Sequence, residues 1–123
     1  MASNNKVLTI DITNESITIT EVTASEKKTS TVHNAIIFET PEDAYEDGFI
    51  RDKERIAEAI KSQLAANGIT NKNAIFVLTS TKIVNREVLV PFVKENKIKG
   101  IINANSSEYF PVNIEDYTVS HSV

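Results

Sequence analysis

Asp11 is the residue whose type and placement first suggest chemistry. It lies near the end of the apolar segment Lys6-Val7-Leu8-Thr9-Ile10-Asp11-Ile12 and just before Thr13-Asn14-Glu15. A carboxylate carried to the end of a strand, ahead of a turn and a second strand, can meet a metal-phosphate group, since hard divalent cations take oxygen ligands. An aspartate beside a turn also bonds nearby backbone N–H groups, so turn capping is the competing reading. His33 and His121 have no Asp, Glu or His neighbour at metal-ligand spacing. A zinc or iron site would have to be assembled by the fold, and a structural or surface role is expected for both. Serines and acids are plentiful, but no GxSxG-like elbow presents a nucleophile. No catalytic residue and no metal site are expected.

Composition narrows the chemistry further. The 123 residues include 3 Gly, 3 Pro and no Cys. Phosphate-cradling loops are built from glycine because the ligand approaches bare backbone, and neither GxGxxG nor GxxxxGK[ST] can be written here. Without cysteine there are no disulfides, thiolate ligands or cysteine nucleophiles. Lys plus Arg total 13 against 17 for Asp plus Glu, and the net charge of -4 disfavours a grip on nucleic acid or anionic lipid. Hydrophobic residues at 41% and charged residues at 24% are a globular composition, sufficient for one compact domain or two small ones. The first residues lack the apolar core of a signal peptide and no run of about 18 apolar residues follows. A cytoplasmic location without direct membrane insertion is expected, and Asn14-Glu15-Ser16 and Asn105-Ser106-Ser107 are coincidental matches to the glycosylation pattern.

Several elements must position these groups. Leu8, Ile10 and Ile12 at period two predict a strand, and 16–22 repeats the pattern with Ile17 and Ile19 across a tight turn at Thr13-Asn14-Glu15. Residues 29–38, ending in Ala35-Ile36-Ile37-Phe38, predict a third strand after a polar bend at 24–28, making an antiparallel meander. An acidic connector over 39–47 closes in Gly48-Phe49-Ile50-Arg51-Asp52. Asp52 is a good N-cap for a helix from Lys53 to about Asn67, with Ile56, Ile60 and Leu64 on one face. Gly68 supplies the C′ position and Ile69 closes over Leu64 in a Schellman-type contact. Ala74-Ile75-Phe76-Val77-Leu78 predicts a strand buried on both faces, followed by a turn at Thr79-Ser80-Thr81-Lys82 and a second strand over 83–90 ending at Pro91. Residues 94–107, with Ile98, Ile101 and Ile102, predict a second helix despite Gly100. Phe110-Pro111 ends it, and 117–123 predicts a last strand that reads as cut at the final residue.

Ile10-Asp11-Ile12, with its turn and following strand, resembles the first phosphate segment of the actin-like ATPase superfamily, which includes actin, sugar kinases, the division protein FtsA and the type IV pilus protein PilM. Asp47-Gly48-Phe49-Ile50-Arg51-Asp52, leading into the Ile56/Ile60/Leu64 helix, resembles the PilM family's DG-x-I-x-D entry to its inserted subdomain. Residues 74–91, with the Ser80 turn and terminal Leu89-Val90-Pro91, resemble the hairpin that family closes with an apolar-Pro step. Glu108-Tyr109-Phe110-Pro111-Val112-Asn113-Ile114-Glu115-Asp116 resembles its QYIPFPIEEV segment and is the most specific part of a match that runs in register over almost the whole chain.

The resemblance implies an α/β fold, the N-terminal part of an actin-like (ribonuclease H-like) architecture. Residues 1–46 and 115–123 would form the antiparallel β-meander of a partial subdomain 1A, and residues 47–114 an inserted α/β subdomain 1C with two helices. Members of that family are much longer, so an N-terminal fragment is implied, lacking the second phosphate segment, the adenosine segment and the second lobe. The implied role is a cytoplasmic scaffold of type IV pilus or type II secretion-like assembly, held at the inner face of the membrane through its partners. Those partners are other pilus assembly proteins and the inner-membrane protein PilN, whose N-terminal peptide the family binds in a groove between 1A and 1C. Phe49, Ile50, Arg86 and Tyr109 are the candidate peptide-binding residues, since apolar pockets beside a strand edge suit an extended peptide.

The family pattern reads roughly IDIGSSSIK, and here Thr13 stands at the glycine and Thr18 at the lysine. A threonine side chain and its restricted φ obstruct the approach of phosphate, and Thr18 carries no positive charge. Asp11, Thr13 and Thr18 therefore form a degenerate nucleotide segment. No enzyme activity and no cofactor are expected of this chain, and Mg-ATP is left to a longer parent. Two other readings follow from the same resemblance. One is half of an actin-like ATPase or kinase site, with Asp11 positioning Mg²⁺ and a missing lobe completing it. The other is an FtsA-like division protein whose subdomain 1C self-associates. Apolar surface exposed by a missing lobe would favour homodimers.

Overall fold

The computed structural model describes residues 5–23 and 29–123, which pack as two compact units divided between Lys82 and Ile83. The polar bend expected at 24–28 and the first four residues, weighed above for a secretion signal, lie outside the described residues.

In the first unit the period-two apolar segments form the meander they predict. Strands β1 (Lys6–Ile12), β2 (Ser16–Thr23) and β3 (Thr31–Glu39) pair antiparallel, with Ile10 opposite Ile19, Ile12 opposite Ile17 and Ile19 opposite Ile36. The β1–β2 turn closes through Thr13, whose N–H donates to the Ser16 carbonyl at 2.9 Å and whose hydroxyl oxygen accepts the Ser16 N–H at 3.0 Å. A register shift between Glu21 and Val22 interrupts the β2–β3 ladder. Beside it Glu21 is buried on the core face and accepts a hydrogen bond from the Asn34 side-chain amide at 3.0 Å, which satisfies part of its need for donors.

After β3 the chain makes a small hairpin, β4 (Tyr45–Glu46) and β5 (Phe49–Ile50), joined by Asp47 and Gly48 with φ of +47° and +84°. Positive φ at both central residues is the mark of a type I′ turn, whose twist matches the flanking strands. Arg51 and Glu46 pair as ions at its base.

Helix α1 (Lys53–Ala66) begins where Asp52 accepts the Arg55 N–H at 3.2 Å. It ends in the expected Schellman pattern. Gly68 has φ +66°, its N–H donates to Ala65, and the Ile69 N–H donates to the Leu64 carbonyl at 2.9 Å. The helix leads to β6 (Ala74–Val77), which runs parallel to β1 and completes a sheet of order β3-β2-β1-β6. The core lies on one face of that sheet. Leu8, Ile10, Ile12, Ile17, Ile19 and Ile36 pack with Ile56 and Ile60 of α1 and with Ile69. Each such aliphatic side chain contributes about 1.5–3 kcal/mol by leaving water. Helix α1 thus shares its core with the meander, whereas the sequence reading grouped it with the residues that follow.

Strand β6 corrects one expectation. A continuous apolar run predicts burial on both faces, yet Phe76 is 58% and Leu78 62% exposed. The strand pairs only with β1, so it is an edge, and among the described residues nothing covers its far side.

The second unit holds helix α2 (Glu95–Ala104), helix α3 (Ser106–Tyr109) and a 3₁₀ turn at Ile114–Asp116. The single helix expected over 94–107 is split at Asn105, whose backbone and side-chain N–H groups both turn back onto the Ile101 carbonyl. Ile98 and Ile102 are buried, as their spacing predicts. The strands expected over 83–90 and 117–123 do not form, because neither segment acquires a ladder partner. The hairpin expected across Thr79 to Lys82 is therefore absent. Mixed α/β architecture holds for the molecule, with sheet and helix in the first unit and helix and irregular chain in the second. No helix among the described residues is long and apolar enough to cross a membrane.

Candidate functional site

Alternation along β1 puts Ile10 and Ile12 in the core and Asp11 on the opposite face of the sheet. Asp11 faces Thr18 on β2 and Val77 on β6 in the ladder. Its Oδ1 is buried and has no hydrogen-bond partner. A carboxylate oxygen removed from water in this way is costly unless a donor or cation meets it. Thr13 is turned to other work. Its hydroxyl donates to the Ser16 carbonyl at 3.1 Å and accepts from the Glu15 and Ser16 N–H groups, so it is spent inside the turn. Thr13 thus closes the turn, and Thr18, opposite Asp11, brings no positive charge to the carboxylate. Among the described residues no cluster of three His, Cys, Asp or Glu side chains could hold a metal ion.

The β1–β2 turn is itself held from two sides. The Thr40 hydroxyl donates to the Thr13 carbonyl at 2.8 Å, and the Asp47 N–H donates to Asn14 Oδ1 at 3.3 Å. Asp47 then reaches the segment after β6, where its carboxylate accepts the Thr81 N–H at 2.8 Å and the Thr81 hydroxyl at 2.5 Å. The Thr81 hydroxyl, then its N–H, hold the Asp47 carboxyl below the usual aspartate value, with smaller help from Ser80 and Lys82. Sequence reasoning did not assign Asn14, Asp47 and Thr81 to one cluster. Asp-Gly flanked by short apolar segments was a hairpin signal, but its partners stand more than 30 residues away on either side, as the separations of 33 and 34 residues show.

In the second unit a cleft is lined by Arg86, Val88, Ile98, Ile102, Tyr109 and Val119, among others. It joins one cation and one phenol to aliphatic walls, the mixture that takes a small apolar group with a polar neighbour.

The chain matches the model of the type IV pilus assembly protein PilM from residue 9 to residue 123. It belongs to the PilM family. No curated protein matches it. Family membership sets the chain in type IV pilus assembly.

For a PilM-family chain the candidate residues fall into three places. Asp11 and Thr18 are direct neighbours across the β1–β2 ladder, and Thr13 closes the turn beyond them. Phe49 and Ile50 form β5 of the first unit, and Phe49 is 65% exposed. Arg86 and Tyr109 come together in the cleft of the second unit. Of the histidines, His33 lies 2.5 Å from the Thr23 hydroxyl through Nε2, and His121 lines the same cleft as Arg86.

Proposed function

We propose that this PilM-family chain acts as a cytoplasmic scaffold in pilus assembly by capturing the N-terminal peptide of a PilN-like inner-membrane protein, on an actin-like framework whose nucleotide segment is degenerate. The observation that carries this reading is the cleft where Arg86 and Tyr109 meet Val88, Ile98 and Ile102. An aromatic body beside aliphatic walls shelters a peptide side chain, while the guanidinium takes a backbone carbonyl or an acidic group. Phe49 and Ile50, exposed on the first unit, are a separate candidate contact. The reading gives the chain no catalytic residue and no cofactor. Titration of the chain with a PilN N-terminal peptide, followed by amide NMR, should shift Arg86 and Tyr109 first. Shifts confined to other residues would place the peptide elsewhere and overturn the assignment of the cleft.

A second reading has one observation in its favour. The unpartnered Oδ1 of Asp11 is the kind of group that a cation beside a phosphate would satisfy. Under this reading the chain is half of an actin-like ATPase site, and Mg-ATP would bind a longer parent and be lost in Asp11→Ala. Under the first reading no Mg-ATP binding is seen, and the double change Thr13→Gly with Thr18→Lys is needed before any appears.

A further inference from the structure

We propose that the Asp47–Gly48 turn is a conformational latch, which ties the β1–β2 turn to residues 79–82, where the chain passes to its second unit, so that a change at either end is felt at the other. The geometry is specific. Asp47 presents its N–H to Asn14 on one side and its two carboxylate oxygens to Thr81 on the other. Bonds from an N–H and an O–H to one ionised carboxylate are about twice as strong as neutral ones and fix the direction of approach. Positive φ at Asp47 holds that residue facing both ways at once.

Gly48 makes the approach close. A Cβ on it would lie 2.7 Å from the Ser80 Cβ, so only glycine admits Ser80 here. The Ser80 hydroxyl oxygen accepts the Lys82 N–H at 3.1 Å, which extends the ordered stretch to the last residue of the first unit. Strand β6 ends at Val77, so no ladder holds residues 79–82, and Asp47 supplies the long-range hydrogen bonds found there among the described residues. The far end is anchored independently, because Thr40 grips the β1–β2 turn through the Thr13 carbonyl and the Glu15 carbonyl. A charged, two-sided contact between one anchored turn and one otherwise unpaired segment is a two-state element, closed when Asp47 holds Thr81 and open when it does not. The inference is independent of the peptide and nucleotide readings.

Amide hydrogen exchange on the whole chain tests it with two variants placed at opposite ends. Thr81→Val keeps the N–H but removes the hydroxyl, and it should speed exchange about tenfold at Thr81 and Lys82 and also at Asp47, whose N–H bonds Asn14. Asn14→Ala should speed exchange at residues 79–82, although it touches none of them. Thr81→Ser, which keeps the hydroxyl, should behave as the parent. The amides of Ile10 and Ile19 report global opening and should not change. If Thr81→Val acts only on residues 79–82, or if Asn14→Ala leaves those residues at the parent rate, the two ends are uncoupled and the latch is refuted. If Thr81→Val also speeds Ile10 and Ile19, it has loosened the whole unit, and the Asn14→Ala result alone decides.

Discussion

Asp11 stands directly opposite Thr18 in the β1–β2 ladder, and one of its carboxylate oxygens is buried there without a hydrogen-bond partner. Thr18 carries no charge, so the ladder brings no cation to that oxygen. Leaving such an oxygen buried and unpaired costs free energy.

Replacing Asp11 should therefore stabilise the fold. Asp11→Thr removes the unpaired oxygen and sets a β-branched residue across from Thr18, and we expect a gain of about 1 kcal/mol. Urea denaturation of the two proteins measures it. A lower midpoint for the variant would show that the carboxylate is compensated in solution.

The Asp47 contact carries a pH dependence of definite sign. The Thr81 hydroxyl lowers the folded pKa below the ordinary value of 3.8. Its contribution to stability is then fully present above 3.8 and is lost as the pH falls through the lower folded value. An NMR titration of the Asp47 carboxyl should show a midpoint below 3.8 that moves back up in Thr81→Val. A midpoint unaffected by the substitution would contradict the bond.

Three glycines should respond to alanine in three ways. Gly100 lies in α2 with nothing within 4 Å of a new Cβ, so Gly100→Ala should stabilise by about 0.5–1 kcal/mol through helix propensity. Gly68 is as open but has φ +66°, and Gly68→Ala should cost about 1–2 kcal/mol from the left-handed backbone alone. Gly48 adds to its φ of +84° a contact of 2.7 Å with Ser80, and Gly48→Ala should cost roughly 3 kcal/mol. Thermal unfolding of the three variants gives the order, and equal losses at Gly48 and Gly68 would remove the close approach of Ser80 from the account.

How far these features could be read from the chain depended on the range of the interactions behind them. Ile10, Ile12, Ile17 and Ile19 announce their strands because burial on one face imposes period two, and all four are in the core. Asp52 and Gly68 announce the ends of α1 because capping acts within one turn, and both cap as expected. Residues 83–90 and 117–123 have the apolar content of strands, but a strand exists only in a ladder, and sequence does not state whether a partner is present. Phe76 misled for the same reason, since an apolar run records what a strand can bury and this one is an edge. Asn14, Asp47 and Thr81 meet through single hydrogen bonds across distant segments, which leave no periodic trace. Arg86 and Tyr109 were named from the resemblance, and the structure brings the two to one cleft.

Calorimetric titration of the chain with the PilN-type N-terminal peptide tests the central claim most directly, with Tyr109→Ala and Arg86→Ala as comparisons. Saturable binding by the parent is expected, weakened about 30-fold by Tyr109→Ala, equivalent to about 2 kcal/mol for an aromatic anchor in a pocket, and also weakened by Arg86→Ala. Absence of heat with the parent chain, or parent-like affinity in both variants, would contradict peptide capture at this cleft.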